Sequence, residues 1–401
     1  FKESATAKST TPTAPQVQGL WWKVFADPVL DGLIDRANGN NNSVQVAAGR
    51  LAQARALAGQ VDANRFPQLG VGAGATRQRN STTNNNVAQS VVSAGANLSY
   101  EVDLFGKLSG ASNAASLDAA SREALLRSTQ LLVQADVAQT YLSLRALDTE
   151  RELVRGTLQA YQNTLRLTEV RFREGDVAEL DVARVRSEAA ATESEAVALD
   201  QRRAVLEHAL AVLVGEVASN FSVAPTAWAT ALPVIPAGVP STVLTRRPDV
   251  AAAQNTMQAA QARVGVAKTA WFPTFSLTAN GGYAAPDIKD LFKLSTQAWG
   301  VGALLSLPIF DGGRREAGVQ GANADLSIAL ASYREQVLVA FRDVEDQLSA
   351  LRLLAEQSEA QSRSVDASSR ATLLSGSRYR NGYVSQLELL DAQRSELRNR
   401  R

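Results

Sequence analysis

Arg171-Phe172-Arg173-Glu174-Gly175-Asp176-Val177 returns as Arg378-Tyr379-Arg380-Asn381-Gly382-Tyr383-Val384, and the Leu180 that follows the first copy is matched by Leu387 after the second. Moving outward, Ala52-Gln53-Ala54-Arg55 recurs as Ala260-Gln261-Ala262-Arg263. Phe66-Pro67 recurs as Phe272-Pro273, and Leu104-Phe105-Gly106 has its counterpart in Ile309-Phe310-Asp311. Four anchors in one order, 205–208 residues apart, read as duplication of a whole unit, since the interval is too long for a solenoid.

Breakers give each copy its outline. Residues 68–224 and 309–401 contain none of the twelve prolines. Windows of 45 residues after Gly110, 39 after Gly175 and 54 after Gly321 lack glycine as well. Proline and glycine cost a helix interior about 3 and about 1 kcal/mol relative to alanine, so these windows permit very long helices. Leu326, Leu330, Tyr333, Val337, Phe341, Val344, Leu348, Leu351 and Ala355 step by threes and fours and form one apolar stripe. Leu126, Val133, Val137, Tyr141, Leu144 and Leu147 do the same earlier. A plain coiled coil or spectrin-like bundle fits these windows equally well.

Ahead of the long helices each copy carries two strands. Leu69, Val71, Ala73 and Ala75 alternate with glycines and Gln68. Beyond the polar tip Asn80–Asn86, Val92, Ala94, Ala96, Leu98 and Tyr100 alternate with Ser93, Gly95, Asn97 and Ser99. The second copy has Phe275, Leu277 and Ala279, a tip near Pro286-Asp287, then Trp299, Val301, Ala303, Leu305 and Leu307. One apolar and one small-polar face suits a strand between lipid and a water-filled lumen, or a soluble hairpin capping a bundle. Four strands cannot close a barrel, because the smallest transmembrane barrels have about eight. If the strands cross a membrane, several chains must share one barrel.

Composition removes other classes. Forty-one Lys and Arg against forty Asp and Glu give a net charge of +1, which argues against a nucleic-acid surface. Without cysteine there is no disulfide, thiolate metal site or cysteine nucleophile. The single histidine, His208, sits on a helical stretch and reads as a surface or interhelical residue. Gly70-Val71-Gly72-Ala73-Gly74 lies within the alternating strand rather than in a phosphate loop. No catalytic constellation and no cofactor site is expected. The chain begins at Phe1, without a signal peptide, as a mature or trimmed form would.

Trp21-Trp22 through Phe25-Ala26-Asp27-Pro28-Val29-Leu30, Arg246-Arg247-Pro248-Asp249-Val250 and Leu389-Leu390-Asp391-Ala392-Gln393-Arg394 carry a resemblance that spans nearly the whole chain. It resembles the TolC-like outer-membrane factors, specifically the NodT-type lipoprotein branch that serves resistance-nodulation-division pumps. The resemblance implies an α+β membrane protein. Its duplicated helix–strand pair–long helices build a homotrimer, with a twelve-stranded β-barrel continued by a twelve-helix α-barrel and a mixed equatorial segment. It implies a linker over 1–18, a first repeat over 19–215 (strands near 67–79 and 88–104) and an equatorial connector over 216–247. A second repeat follows over 248–401, with strands near 273–285 and 296–310. The final helix is short, so the natural chain is expected to continue for about one more helical arm. The branch begins with an acylated cysteine; the Thr/Ala/Pro-rich stretch Phe1–Gln18 reads as the linker behind such an anchor, expected to have been cut off or to lie upstream.

The implied function is a passive efflux duct for drugs or other small compounds, with outer-membrane lipid, a periplasmic adaptor and an inner-membrane pump as partners. A soluble periplasmic coiled-coil scaffold and a duct for metal ions or proteins are the alternatives. By the same resemblance the turns at Gly175 and Gly382 are periplasmic tips facing adaptor and pump. A gate is carried over to Tyr379, Leu387, Glu388, Asp391 and Arg394, and to Asp181, Arg184 and Val185. Val384 stands where the family has an Arg. Three symmetry-related Asp391 side chains would repel one another, a tension relieved by bound cations or by Arg394.

Overall fold

The computed structural model describes residues 19–79, 88–226 and 246–401. The linker 1–18, the polar tip 80–86 and residues 227–245 of the connector, with Trp228, lie outside the described residues. Among the described residues the order is α1 (Pro28–Asn40), α2 (Asn42–Ala63), β1 (Gln68–Gln78), β2 (Gln89–Val102), α3 (Lys107–Arg173) and α4 (Glu179–Leu213). Then come α5 (Pro248–Thr269), β3 (Thr274–Ala285), β4 (Gln297–Ser306), α6 (Arg314–Arg380) and α7 (Gln386–Arg400). No helix is long and apolar enough to cross a membrane among the described residues.

α3 and α6 are 67 residues each, about 100 Å at 1.5 Å per residue. Both run straight through glycines that outlined the shorter windows. One of these, Gly110, lies where a Cβ would come within 3.0 Å of Val266 on α5, so the missing side chain lets the two helices approach. Proline sits at the first position of both α1 and α5, where its absent N–H costs nothing. Asp27 caps α1 by accepting from Val29 and Leu30 N–H groups at 2.9 and 3.2 Å.

The chain forms two compact units: Phe1–Gln45, Thr129–Val243 and Phe341–Arg401 make one, Val46–Ser128 and Leu244–Ala340 the other. Each takes material from both sequence repeats. The second unit holds the sheet, one antiparallel layer in the order β1-β2-β3-β4. Strand β4 ends at Ser306, earlier than the alternation suggested, because Pro308 has no N–H to donate to a ladder. Strand β2 stops at Val102, where Asp103 turns to cap α3 through the N–H groups of Leu108 and Ser109 at 3.0 and 2.7 Å. In the same unit Ser121 Oγ donates to Ala252 O at 3.0 Å, and Ser112 Oγ to Asp62 at 2.8 Å, joining α3 to α5 and to α2.

The first unit is helical. Leu147 and Val154 of α3 meet Ala196 and Leu199 of α4 in one buried cluster. Tyr161 of α3, Val185 and Ala189 of α4 and Leu390 of α7 make another.

Candidate functional site

Two places concentrate the features that matter: the faces of the sheet and the helical turns around Gly175 and Gly382. The register places Leu69 beside Leu98, Leu98 beside Ala279 and Ala279 beside Val301. That side of all four strands is apolar and continues through Val71, Tyr100, Phe275 and Trp299. The opposite side carries Gln68, Ser99, Thr278 and Gly302 in one row, and Gly72, Gly95, Gly282 and Ala298 in another. Val71, Trp299 and Val301 are 76–85% exposed in the single chain. Among the described residues β1 and β4 each have one side without a partner strand. Near the helical end of the strands Phe105 stacks on Phe272 at 4.8 Å, and the Arg315 guanidinium lies 4.6 Å from the Trp271 ring centre.

Both helical turns end in the same hydrogen-bonded motif. Gly175 N–H donates to Phe172 O at 3.0 Å and Asp176 N–H to Arg171 O at 2.9 Å. Gly382 and Tyr383 repeat this onto Tyr379 and Arg378 at 3.0 and 2.9 Å. The glycines take φ of 82° and 73°, the left-handed conformation that this helix ending requires. After the second turn Ser385 accepts from Glu388 N–H at 3.4 Å, with Glu388 in the first turn of α7.

Around these turns the residues carried over from the resemblance fall into four settings. Leu387 and Glu388 are exposed on α7, and Asp391 exposes 60% of its side chain. Tyr379 is half-buried, and its hydroxyl accepts from Arg171 at 3.3 Å. Arg184 lies 3.8 Å from Asp181 on α4. Val185 is fully buried in the cluster with Tyr161 and Leu390, beneath the surface that Asp181 and Arg184 occupy.

Arg394 spans the two repeats. It reaches Asp391 at 3.2 Å and grips Glu188 of α4 with both arms of its fork, Nε to Oε2 at 2.7 Å and Nη2 to Oε1. The hydrogen bond to Glu188 raises the Arg394 pKa above its ordinary value, against the opposing effect of burial. Arg401, seven residues on, bonds Glu195, seven residues after Glu188, at 2.6 Å. Equal spacing on both helices marks a parallel seam with a charge pair every heptad. Glu188 escaped the motif reading; the matched spacing of Glu188 and Glu195 with Arg394 and Arg401 was the signal available.

A buried charge network also escaped it. Arg203 donates to Asp148 at 2.8 Å, to Glu207 at 3.0 Å and to Val223 O at 2.5 Å. Arg145 donates to Ala224 O at 2.7 Å, and Glu207 accepts from Val223 N–H at 2.6 Å. The start of the connector is thereby clamped to α3 and α4. His208 is exposed on α4. Among the described residues no three His, Cys, Asp or Glu side chains converge on a metal position.

The family model of outer membrane efflux proteins matches residues 33–216 and 239–401. The chain belongs to the outer membrane efflux protein family. This efflux protein is 34% identical over 375 residues to the solvent efflux pump outer membrane protein SrpC of Pseudomonas putida, covering 92% of this chain and 80% of that one. Among solved structures it is similar to the outer-membrane channel OprN, with a TM-score of 0.91 and 31% identity over 100% of this chain and 90% of that one. It is also similar to the outer membrane protein VceC of Vibrio cholerae, with a TM-score of 0.87 and 28% identity over 94% and 92% of the two chains. The efflux protein is therefore an outer-membrane channel of an efflux pump, resident in the outer membrane, which sets aside the soluble scaffold.

Proposed function

We propose that three copies of this chain pool their four-stranded sheets into one closed barrel, and that the channel so formed passively carries small compounds delivered by a periplasmic adaptor and an inner-membrane pump. The observation that carries the reading is the sheet with an apolar face and two open edges. In lipid each unpaired backbone group costs several kcal/mol, so a lone sheet is untenable there, whereas closure removes every edge. The similarity to a solvent efflux component supports organic solvents and similar apolar compounds as cargo. Mass and conductance test this together. A trimer mass in detergent with discrete conductance in planar bilayers is expected, and a monomer without conductance overturns the reading.

At the helical end, Leu387, Glu388, Asp391 and Asp181 form the closing surface. Arg184 and Arg394 balance its charge, Tyr379 braces the turn, and Val185 supports the helix from beneath. Three copies of Asp391 around one axis hold a cation or draw on Arg394. The pair Glu388→Ala and Asp391→Ala should raise single-channel conductance and weaken cation preference. Unchanged values of both would remove these carboxylates from the gate.

A further inference from the structure

Across the middle of the sheet the register brings Gly70, Asn97, Asn280 and Gly300 into one transverse row. Both asparagines are exposed on the polar face. A Cβ on Gly70 would lie 3.0 Å from Asn97 Oδ1, and a Cβ on Gly300 would lie 3.0 Å from Asn280 Oδ1. Each carboxamide therefore lies over the glycine of the adjacent edge strand, in the space a side chain would fill. The next row toward the hairpin ends, Gly72, Gly95, Gly282 and Ala298, is almost bare backbone, so the two amides form a step in the lining. No charged side chain occurs on this face in that row, in the asparagine row or in the Gln68 row.

We propose that Asn97 and Asn280 of each copy make a neutral carboxamide ring that is a substrate-contacting step of the barrel lumen, and that Gly70 and Gly300 hold it open by seating each amide against the wall. This rests on the shared-barrel reading above. A carboxamide both donates and accepts hydrogen bonds and carries no charge, so the ring contacts the polar groups of small amphiphilic solutes without sorting them by charge. A ring of carboxylates or guanidinium groups would sort them. Glycine replacement acts on the flexible amide end, so the fold tolerates it. At Gly282 a Cβ would instead meet Ala94 O at 2.4 Å, which is backbone.

Residues 1–401 contain no cysteine, so Ser99→Cys gives them a single thiol, in the row just beyond the asparagines for a solute entering from the hairpin end. Methanethiosulfonate reagents of graded size and either charge are added from outside to cells carrying the channel. Cationic and anionic reagents of equal size should modify this thiol at rates within about twofold of each other. Gly70→Ala with Gly300→Ala should slow a bulky reagent by about fivefold and a small one by less than about twofold, because both amides move into the lumen. Adding Asn97→Ala and Asn280→Ala should restore the rate, and replacing both asparagines by Asp should favour the cationic reagent. Unaltered size dependence, absent restoration or absent charge bias overturns the ring. The shared barrel itself fails separately if Ser99→Cys resists every aqueous reagent while Leu98→Cys on the opposite face reacts.

Discussion

At the scale of single residues, Asp249 explains why the Arg246-Arg247-Pro248-Asp249 motif is more than a helix start. Arg247 forks onto it at 3.1 and 2.6 Å, Gln336 of α6 donates to it at 2.7 Å, and it accepts from Val250 N–H at 2.9 Å. Burial pushes this carboxyl up, but the Arg247 hydrogen bonds and charge outweigh burial and hold it below its ordinary 3.8. A carboxyl whose pKa is lower folded than unfolded stabilises the fold above the unfolded value and loses that contribution as pH falls through the folded one. Asp249→Asn should therefore lower stability near neutrality by about 2 kcal/mol and flatten its fall below pH 3.8. Thermal midpoints of both proteins across an acid series check this, and parallel curves would refute it. The motif was legible in the sequence as a helix start; its bond to Gln336, 87 residues away, was not, because no local periodicity encodes a contact between α5 and α6.

At the scale of elements, the two turn glycines were readable from sequence alone, as the only breakers between paired helices. Gly382 has open space around its missing Cβ, so Gly382→Ala meets only the left-handed backbone penalty of about 1 kcal/mol. Gly215, after α4, is also left-handed at φ 74°, and its Cβ would lie 2.5 Å from Asn40 O. Gly215→Ala should cost severalfold more, and chemical denaturation of the two variants should rank them so; equal losses would contradict the backbone clash. Val185 illustrates what motif matching left out. Carried over as a gate residue, it lies on the stripe Val182, Val185, Ala189, Ala196 and Leu199, all buried on α4. Their spacing by three, four, seven and three is a core face, and helical phase placed Val185 inside. The α4–α7 seam depended on three-dimensional pairing of two repeats, which heptad charges hint at only once both helices are known to run side by side.

At the scale of the whole molecule, the duplicated stripes have different fates. Val133, Val137, Tyr141, Leu144 and Leu147 of α3 are all 9% exposed or less. On α6, Leu330 and Leu351 of the matching stripe are 36% and 48% exposed, and Leu338, Leu353 and Leu354 range from 50 to 69%. The alternation of the strands told the same story: half of each strand is apolar, and among the described residues Leu69, Val71, Trp299 and Val301 on that face are 72–85% exposed. Sequence could announce that surplus, but the identity of its cover is a property of the assembly, not of one chain's local pattern. If lipid covers the outer face and water the inner, the two faces must respond oppositely to charge. An Arg near the bilayer midplane costs about 2–4 kcal/mol on the lipid side, whereas a lumen position stays hydrated. Val301→Arg, on the apolar face of β4, should sharply reduce trimer recovered from outer membranes. Thr278→Arg, on the polar face one strand away, should leave trimer yield near wild type while shifting ion preference toward anions, as read by reversal potential. Equal loss of trimer in both variants would mean that the sheet is buried on both faces, and that its glycine-rich side packs against protein instead of water.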